Sequence, residues 1–173
     1  MRMLRVIEFL SLDGVMQAPG APDEDTEGGF QHGGWQRPYF DDVLGATAAE
    51  GMAATDTYLF GRKTYEGMAA YWPTAPHDDP YARHLNSTPK YVASTTLPGV
   101  EWQNSTLIEG DVAEEVAKLK QQPGKNIAVL GSGNLVQTPL TWASVGGRRT
   151  ALKEAPLLPI LGEDGCPRSG RRG

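Results

Sequence analysis

The chain predicts a parallel α/β sheet flanked by helices. Short β-rich runs alternate with helical segments, two of those runs end in glycine and turn straight into a helix, and Gly and Pro clusters separate the rest. At 173 residues it amounts to about one domain, long enough for one real core.

Leu4 to Leu10 alternates imperfectly and is β-rich, so it reads as the first strand. Residues 17–38 contain Pro19, Pro22, Pro38 and the pairs Gly28-Gly29 and Gly33-Gly34, and form a long loop. Loops of that length are usually functional lids or disordered segments. A helix is expected over Phe40 to Ala53, a strand at Tyr58 to Phe60 and a helix from Arg62 to Ala70. Pro73, Pro76 and Pro80 punctuate the next loop, with a short helix from Pro80 to Leu85. Lys90 to Ser94 and Ser105 to Ile108 read as strands. Asp111-Val-Ala-Glu114 opens a helix in near capping-box form. On it Val112, Val116 and Leu119 share a core face, while Glu114 and Lys118 can pair on the other. Pro123-Gly124 ends this helix before the β-branched run Asn126 to Leu130.

The two strand–glycine–helix junctions carry the functional signal. Tyr58-Leu-Phe-Gly-Arg-Lys-Thr-Tyr-Glu66 places Arg62, Lys63 and Thr64 in the first turn of a helix, where unpaired backbone N–H groups and the helix dipole attract anions. The alternative is a surface helix whose first turn happens to be basic. Asn126-Ile-Ala-Val-Leu130 runs into Gly131-Ser-Gly-Asn134, a turn whose glycines permit close approach of a ligand to the backbone, or serve only as a connector. Two such junctions suit a dinucleotide, which has a diphosphate and a further phosphate to place.

Taken in order, Ser11-Leu-Asp-Gly14, Phe60-Gly-Arg-Lys-Thr-Tyr-Glu66, Lys90-Tyr-Val-Ala-Ser-Thr95 and Val129-Leu-Gly-Ser-Gly-Asn134 resemble the dihydrofolate reductase fold family. The closest branch is the C-terminal reductase domain of the bacterial riboflavin-biosynthesis deaminase/reductase, and the resemblance covers about Met3 to Leu140. It implies a mainly parallel sheet flanked by helices, NADPH as cofactor, and hydride transfer to a C=N or sugar carbonyl carbon. It further implies that Gly61, Arg62, Lys63 and Thr64 hold cofactor phosphates, and that Gly131, Ser132, Gly133 and Asn134 contact the diphosphate. Ser94 and Thr95 fall where the family grips the adenosine 2′-phosphate; the arginine of many relatives is absent, so NADPH is favoured over NADH without being settled, and two turn hydroxyls are the plainer reading.

Asp13 and Gly14 fall at the nicotinamide and substrate edge, although turn chemistry accounts for Asp-Gly equally well. Trp35-Gln-Arg-Pro38 resembles the W-x-x-P approach to the folate-binding acid, with the acids here at Asp41 and Asp42, one position off; either can be a helix cap. Trp35 and Trp72 can stack on a planar ring or simply fill core. The expected function is reduction of a heterocyclic or ribosylamino-pyrimidine substrate, of the 5-amino-6-(5-phosphoribosylamino)uracil reductase type. Dihydrofolate reductase activity and a non-catalytic nucleotide-binding remnant are the alternatives.

Other chemistries find little support. His32, His77 and His84 have no metal-ligand spacing, the single Cys166 allows neither a structural zinc site nor an internal disulfide, and so no metal is expected. The zinc deaminase signature and a G-x-S-x-G elbow are missing. Arg5 and Glu8 interrupt the N-terminal apolar run, which is unlike a secretory signal, and no run approaches a membrane span. A cytoplasmic protein is the expectation. Residues 1–140 carry a net −8 and residues 141–173 a net +3, so the acidic body argues against nonspecific nucleic-acid binding.

The domain is expected to occupy residues 1–142, followed at 143–173 by an atypical basic tail rich in Gly, Pro and Arg. Pro139 falls where the family's helix continues, and the residues beyond lack the period of its final strands, as a frame shift, a truncation or a flexible tail would produce. Loss of those strands would uncover a sheet edge and favour a homodimer.

Overall fold

A computed structural model describes residues 2–137; Pro139 and the tail at 143–173 lie outside the described residues. The described residues fall into two compact units, residues 2–9 with 40–137, and residues 10–39. The first contains the sheet. Its strands are β1 (Leu4–Ile7), β2 (Thr55–Gly61), β3 (Lys90–Ala93), β4 (Ser105–Ile108) and β5 (Asn126–Leu130). They lie in the order β1-β5-β2-β3-β4, and every pairing is parallel. Helices α1 (Asp42–Ala53), α2 (Arg62–Tyr71), α3 (Pro80–Ser87), α4 (Val112–Gln121) and α5 (Gly133–Gln137) connect and cover the strands. The parallel α/β expectation therefore holds, and each helix lies where the pattern placed it, within a few residues.

Alternation along the strands divides the core. Leu59, Ile127 and Val129 face Val116 and Leu119 of α4 and Leu135 of α5, while Tyr58, Phe60, Val92 and Ala128 face Tyr65 of α2, Leu85 of α3 and Trp102. Full burial of side chains such as Phe60 and Leu59 stabilises the fold by about 1.5–3 kcal/mol each. Residues 10–39 contain two short 3-10 turns, Glu27–Gly29 and Arg37–Tyr39, so the predicted long loop is irregular throughout.

Three local readings need correction. β2 starts at Thr55, three residues before the expected Tyr58, because Thr55 and Thr57 are buried and pair with Asn126 and Ile127, leaving Asp56 as the extra residue of a register shift. Lys118 pairs with Glu115 at 3.3 Å and not with Glu114, whose backbone N–H is capped by Asp111. The first strand ends at Ile7, short of Leu10.

The bulged Asp56 belongs to a tie at the amino end of the sheet. Its carboxylate pairs with the Arg2 guanidinium and accepts from Lys125 N at 2.7 Å. Arg2 also donates to Thr57 Oγ1 at 2.6 Å and to the Lys125 carbonyl at 2.8 Å. Gly124 makes the turn possible: its φ is +148°, and a Cβ there would sit 2.5 Å from Asp56 Oδ2.

Lys90, at the start of β3, is wholly buried. Its Nζ donates to the carbonyls of Leu85 and Thr88, both at 2.7 Å, and lies 4.4 Å from the centroid of the Trp102 ring. Burial lowers its pKa from 10.5 to about 8, and a neutral amine retains enough N–H groups for both carbonyls. Between those values the unfolded chain binds the proton more tightly. Stability should therefore rise as pH increases from about 8 to about 10.5, by on the order of 2–3 kcal/mol, and Lys90→Met should flatten the rise. Urea titrations at several pH values check this; parallel wild-type and mutant curves would refute it.

Candidate functional site

Because every strand is parallel, the carboxyl ends gather along one edge, where ligands of open α/β sheets bind. The chain leaves β2 through Gly61 into α2, β3 through Ser94, β5 through Gly131 and β1 through Glu8. Both predicted strand–glycine–helix junctions lie on this edge.

At the first junction Gly61 is the N-cap of α2 in extended conformation, with no side-chain cap and no acid in the first turn. By contrast, Asp41, Asp79 and Asp111 cap α1, α3 and α4 with their carboxylates. α2 therefore lacks the carboxylate cap that those three helices have, and a helix start of this kind attracts anions. Arg62 makes an i,i+4 pair with Glu66 at 2.9 Å, with both side chains nearly half exposed. So solvated a pair is worth little, and a phosphate can displace it.

At the second junction Gly131 and Ser132 are successive left-handed residues, with φ of +62° and +69°. The Ser132 conformation costs roughly 1–2 kcal/mol for a non-glycine residue. Its Oγ accepts from Gly61 N at 2.9 Å, which fastens one junction to the other. A Cβ at Gly131 would lie 3.3 Å from Thr64 Oγ1 and Cγ2. The structure therefore brings Gly61, Thr64, Gly131 and Ser132 together, with Arg62, Lys63, Gly133 and Asn134 continuous with them in chain. The Ser132 oxygen accepts in this fastening, which leaves its O–H as a donor beside the backbone.

Ala93 pairs with Gly61, which sets Ser94 beside the first junction. Ser94 Oγ accepts from Thr96 N and Leu97 N, both at 3.1 Å, so this hydroxyl does what the turn reading expected, while Thr95 is exposed. Asp41 serves as the α1 cap, accepting from Leu44 N at 2.8 Å. Asp13, Gly14 and Trp35 belong to the unit of residues 10–39. There Ser11 Oγ donates to the Asp13 carboxylate, Gly14 has φ of +84°, and Trp35 Nε1 donates to the Gln17 carbonyl at 2.9 Å.

Sequence reasoning missed Glu8. It directly follows Ile7, whose carbonyl accepts from Gly131 N at 3.0 Å. Its Oε1 is buried and has no hydrogen-bond partner among the described residues, and burial pushes its pKa from 4.5 to about 7. The only sequence signal was an acid closing a β-rich run. Elsewhere, an open groove of about 1520 Å³ runs along α2 and α3 past Glu66, Arg83, Asn86 and Trp102, and its lining includes none of the junction residues 61–64 or 131–134. Among the described residues no helix is long and apolar enough to cross a membrane.

Comparison with known proteins agrees with this fold. The family model for the RibD C-terminal domain matches residues 2–145. The uncharacterized protein YyaP of Bacillus subtilis (strain 168) is 35% identical over 113 residues, which is 62% of this chain and 56% of that protein. The chain thus spans little more than half the length of that curated relative. The crystal structure of a candidate riboflavin biosynthesis protein from Shewanella sp. PV-4 superposes with a TM-score of 0.50 at 21% identity, covering 84% of this chain and 72% of that one, and shares the dihydrofolate reductase-like fold. A match that runs through both glycine junctions and the whole described sheet decides the matter: this chain belongs to the RibD C-terminal domain family, a family of reductase type.

Proposed function

We propose that the protein is an NADPH-dependent reductase acting on a small nitrogen heterocycle or ribosylamino-pyrimidine, of the 5-amino-6-(5-phosphoribosylamino)uracil reductase type. One observation carries the reading: the uncapped first turn of α2 is fastened through Ser132 to the Gly131 turn, making a single anion cradle at the carboxyl edge of the sheet. A phosphate fits it chemically, because the Arg62 pair with Glu66 is solvated and displaceable and Gly131 offers backbone without a Cβ.

When bound, NADPH supplies the hydride, and this chain positions and shields it. Arg62, Lys63 and Thr64 hold phosphate oxygens; Gly131, Ser132, Gly133 and Asn134 offer backbone to the diphosphate; Ser94 and Thr95 border the 2′-phosphate. On the resemblance alone, Asp13 and Asp41 are the candidate catalytic residues, and Gly14 and Trp35 the candidate substrate-binding positions. The reductase domain is taken as residues 1–142, with a cytoplasmic location and a homodimer as accompanying expectations that fractionation and sedimentation can check.

Calorimetry with NADPH tests the cradle. Arg62→Ala removes a charged hydrogen bond worth about 1.5–3 kcal/mol and should weaken binding roughly 10- to 100-fold. Equal affinity in mutant and wild type would take Arg62 out of the site. Binding without oxidation by any pterin or pyrimidine would favour the non-catalytic alternative.

A further inference from the structure

Most other acids near the sheet have a visible structural duty. Asp41, Asp79 and Asp111 cap helices, Asp56 holds Arg2, Glu66 pairs with Arg62 and Glu115 with Lys118. Glu8 has none among the described residues, although one of its oxygens is removed from solvent. A buried carboxyl without a partner costs stability, so its presence calls for another account. Its location offers one. Glu8 begins the segment leaving β1, Ile7 is in register with Leu130, and the Ile7 carbonyl holds the amide of Gly131. The carboxyl-bearing residue is thereby fixed next to the glycine turn that forms half of the anion cradle.

We propose that Glu8 is the acid of this site, donating a hydrogen bond and then a proton to the nitrogen of a C=N substrate held at the carboxyl end of β1. The inference rests on the reductase reading above and deepens it. The step balances as follows. Hydride from a reduced nicotinamide dinucleotide, which leaves in oxidised form, makes the C–H bond with its own electron pair, while the C=N π pair moves to nitrogen and forms the N–H bond with the proton whose bond to the carboxyl oxygen breaks. Glu8 is left as a carboxylate and recovers a proton from water. Burial makes Glu8 competent for this at neutral pH, since its pKa near 7 keeps a large fraction protonated and no charged side chain among the described residues opposes that shift. A carboxyl matched to ambient pH also releases and regains its proton with similar ease, so the acid is restored after each turnover.

The test uses the full chain with NADPH and two C=N probes: 7,8-dihydrofolate, and a ribosylaminopyrimidine phosphate, whose open-chain imine presents the same bond. NADPH affinity is measured first by calorimetry. No binding would end the reductase reading and this inference with it. With NADPH bound, wild-type oxidation on at least one probe should fall about tenfold per pH unit above the Glu8 pKa. E8Q, which keeps size but cannot give a proton, should lose roughly 10²- to 10⁴-fold in turnover while its NADPH affinity stays within about threefold, and E8D should recover part of the loss. An E8Q enzyme as fast as wild type, or a wild-type profile flat across neutrality, would overturn the role of Glu8 and leave the reductase reading intact. If neither probe is turned over, carbon-detected NMR of the Glu8 carboxyl decides: a titration midpoint moved by about one pH unit or more when either probe saturates the NADPH complex supports the contact, and an unmoved midpoint refutes it.

Discussion

Replacing Asp56 with alanine should lower the stability of the sheet unit by about 3 kcal/mol, because it leaves the Arg2 guanidinium, only 5% accessible, without its counter-charge. The loss should stay below the largest values known for buried pairs, since the Asp56 side chain is 37% accessible and water can enter its place. Lys125 N would lose its acceptor as well, loosening the Gly124 turn. A second change separates charge from packing. Arg2→Met in the Asp56→Ala background removes the stranded cation and should recover part of the loss, so the two effects will not add. Urea unfolding of the single and double variants measures both; a single-mutant loss under about 1 kcal/mol would show that the tie is a solvated surface pair.

The second large effect is expected at Gly131. Gly131→Val should abolish measurable NADPH binding and cost roughly 1–3 kcal/mol in stability, since a β-branched residue must adopt φ of +62° with its Cβ 3.3 Å from Thr64. Gly131→Ala should do less of each, as the methyl has the same first contact without the second branch. Circular dichroism and calorimetry distinguish binding loss from unfolding. A natively folded Gly131→Val protein that binds NADPH normally would reduce the Gly-Ser-Gly turn to a connector.

Much of the fold was legible because local signals and tertiary placement agree. Asp111 caps α4 as its spacing suggested, β4 runs from Ser105 to Ile108 as read, and Gly61 and Gly131 end their strands where the pattern stopped. Sequence failed where a polar residue is used in the interior. Thr55-Asp56-Thr57 looked like loop because nothing local announces Arg2, which lies 54 residues from Asp56 in the chain. Lys90 opened a predicted strand, but its complete burial depends on Trp102 and on carbonyls at the end of α3. For the candidate site, both strand–glycine–helix junctions were legible from the glycine pattern. That Ser132 Oγ accepts from Gly61 N, and that Glu8 is buried at the same edge, are properties of strand order, which residue types alone do not encode.

β2 carries the Asp56 tie near its start and the Gly61 cradle at its end, about 17 Å apart at roughly 3.3 Å per residue. Over such a separation substitutions without shared partners combine nearly additively. On the proposed reading, this spacing makes the domain evolvable: residues 62–64 and 132–134 can be exchanged to suit a different ligand while the distant fastening keeps the protein folded. An engineer can use the same separation in reverse, strengthening the amino end first so that disruptive changes at the ligand edge are tolerated later.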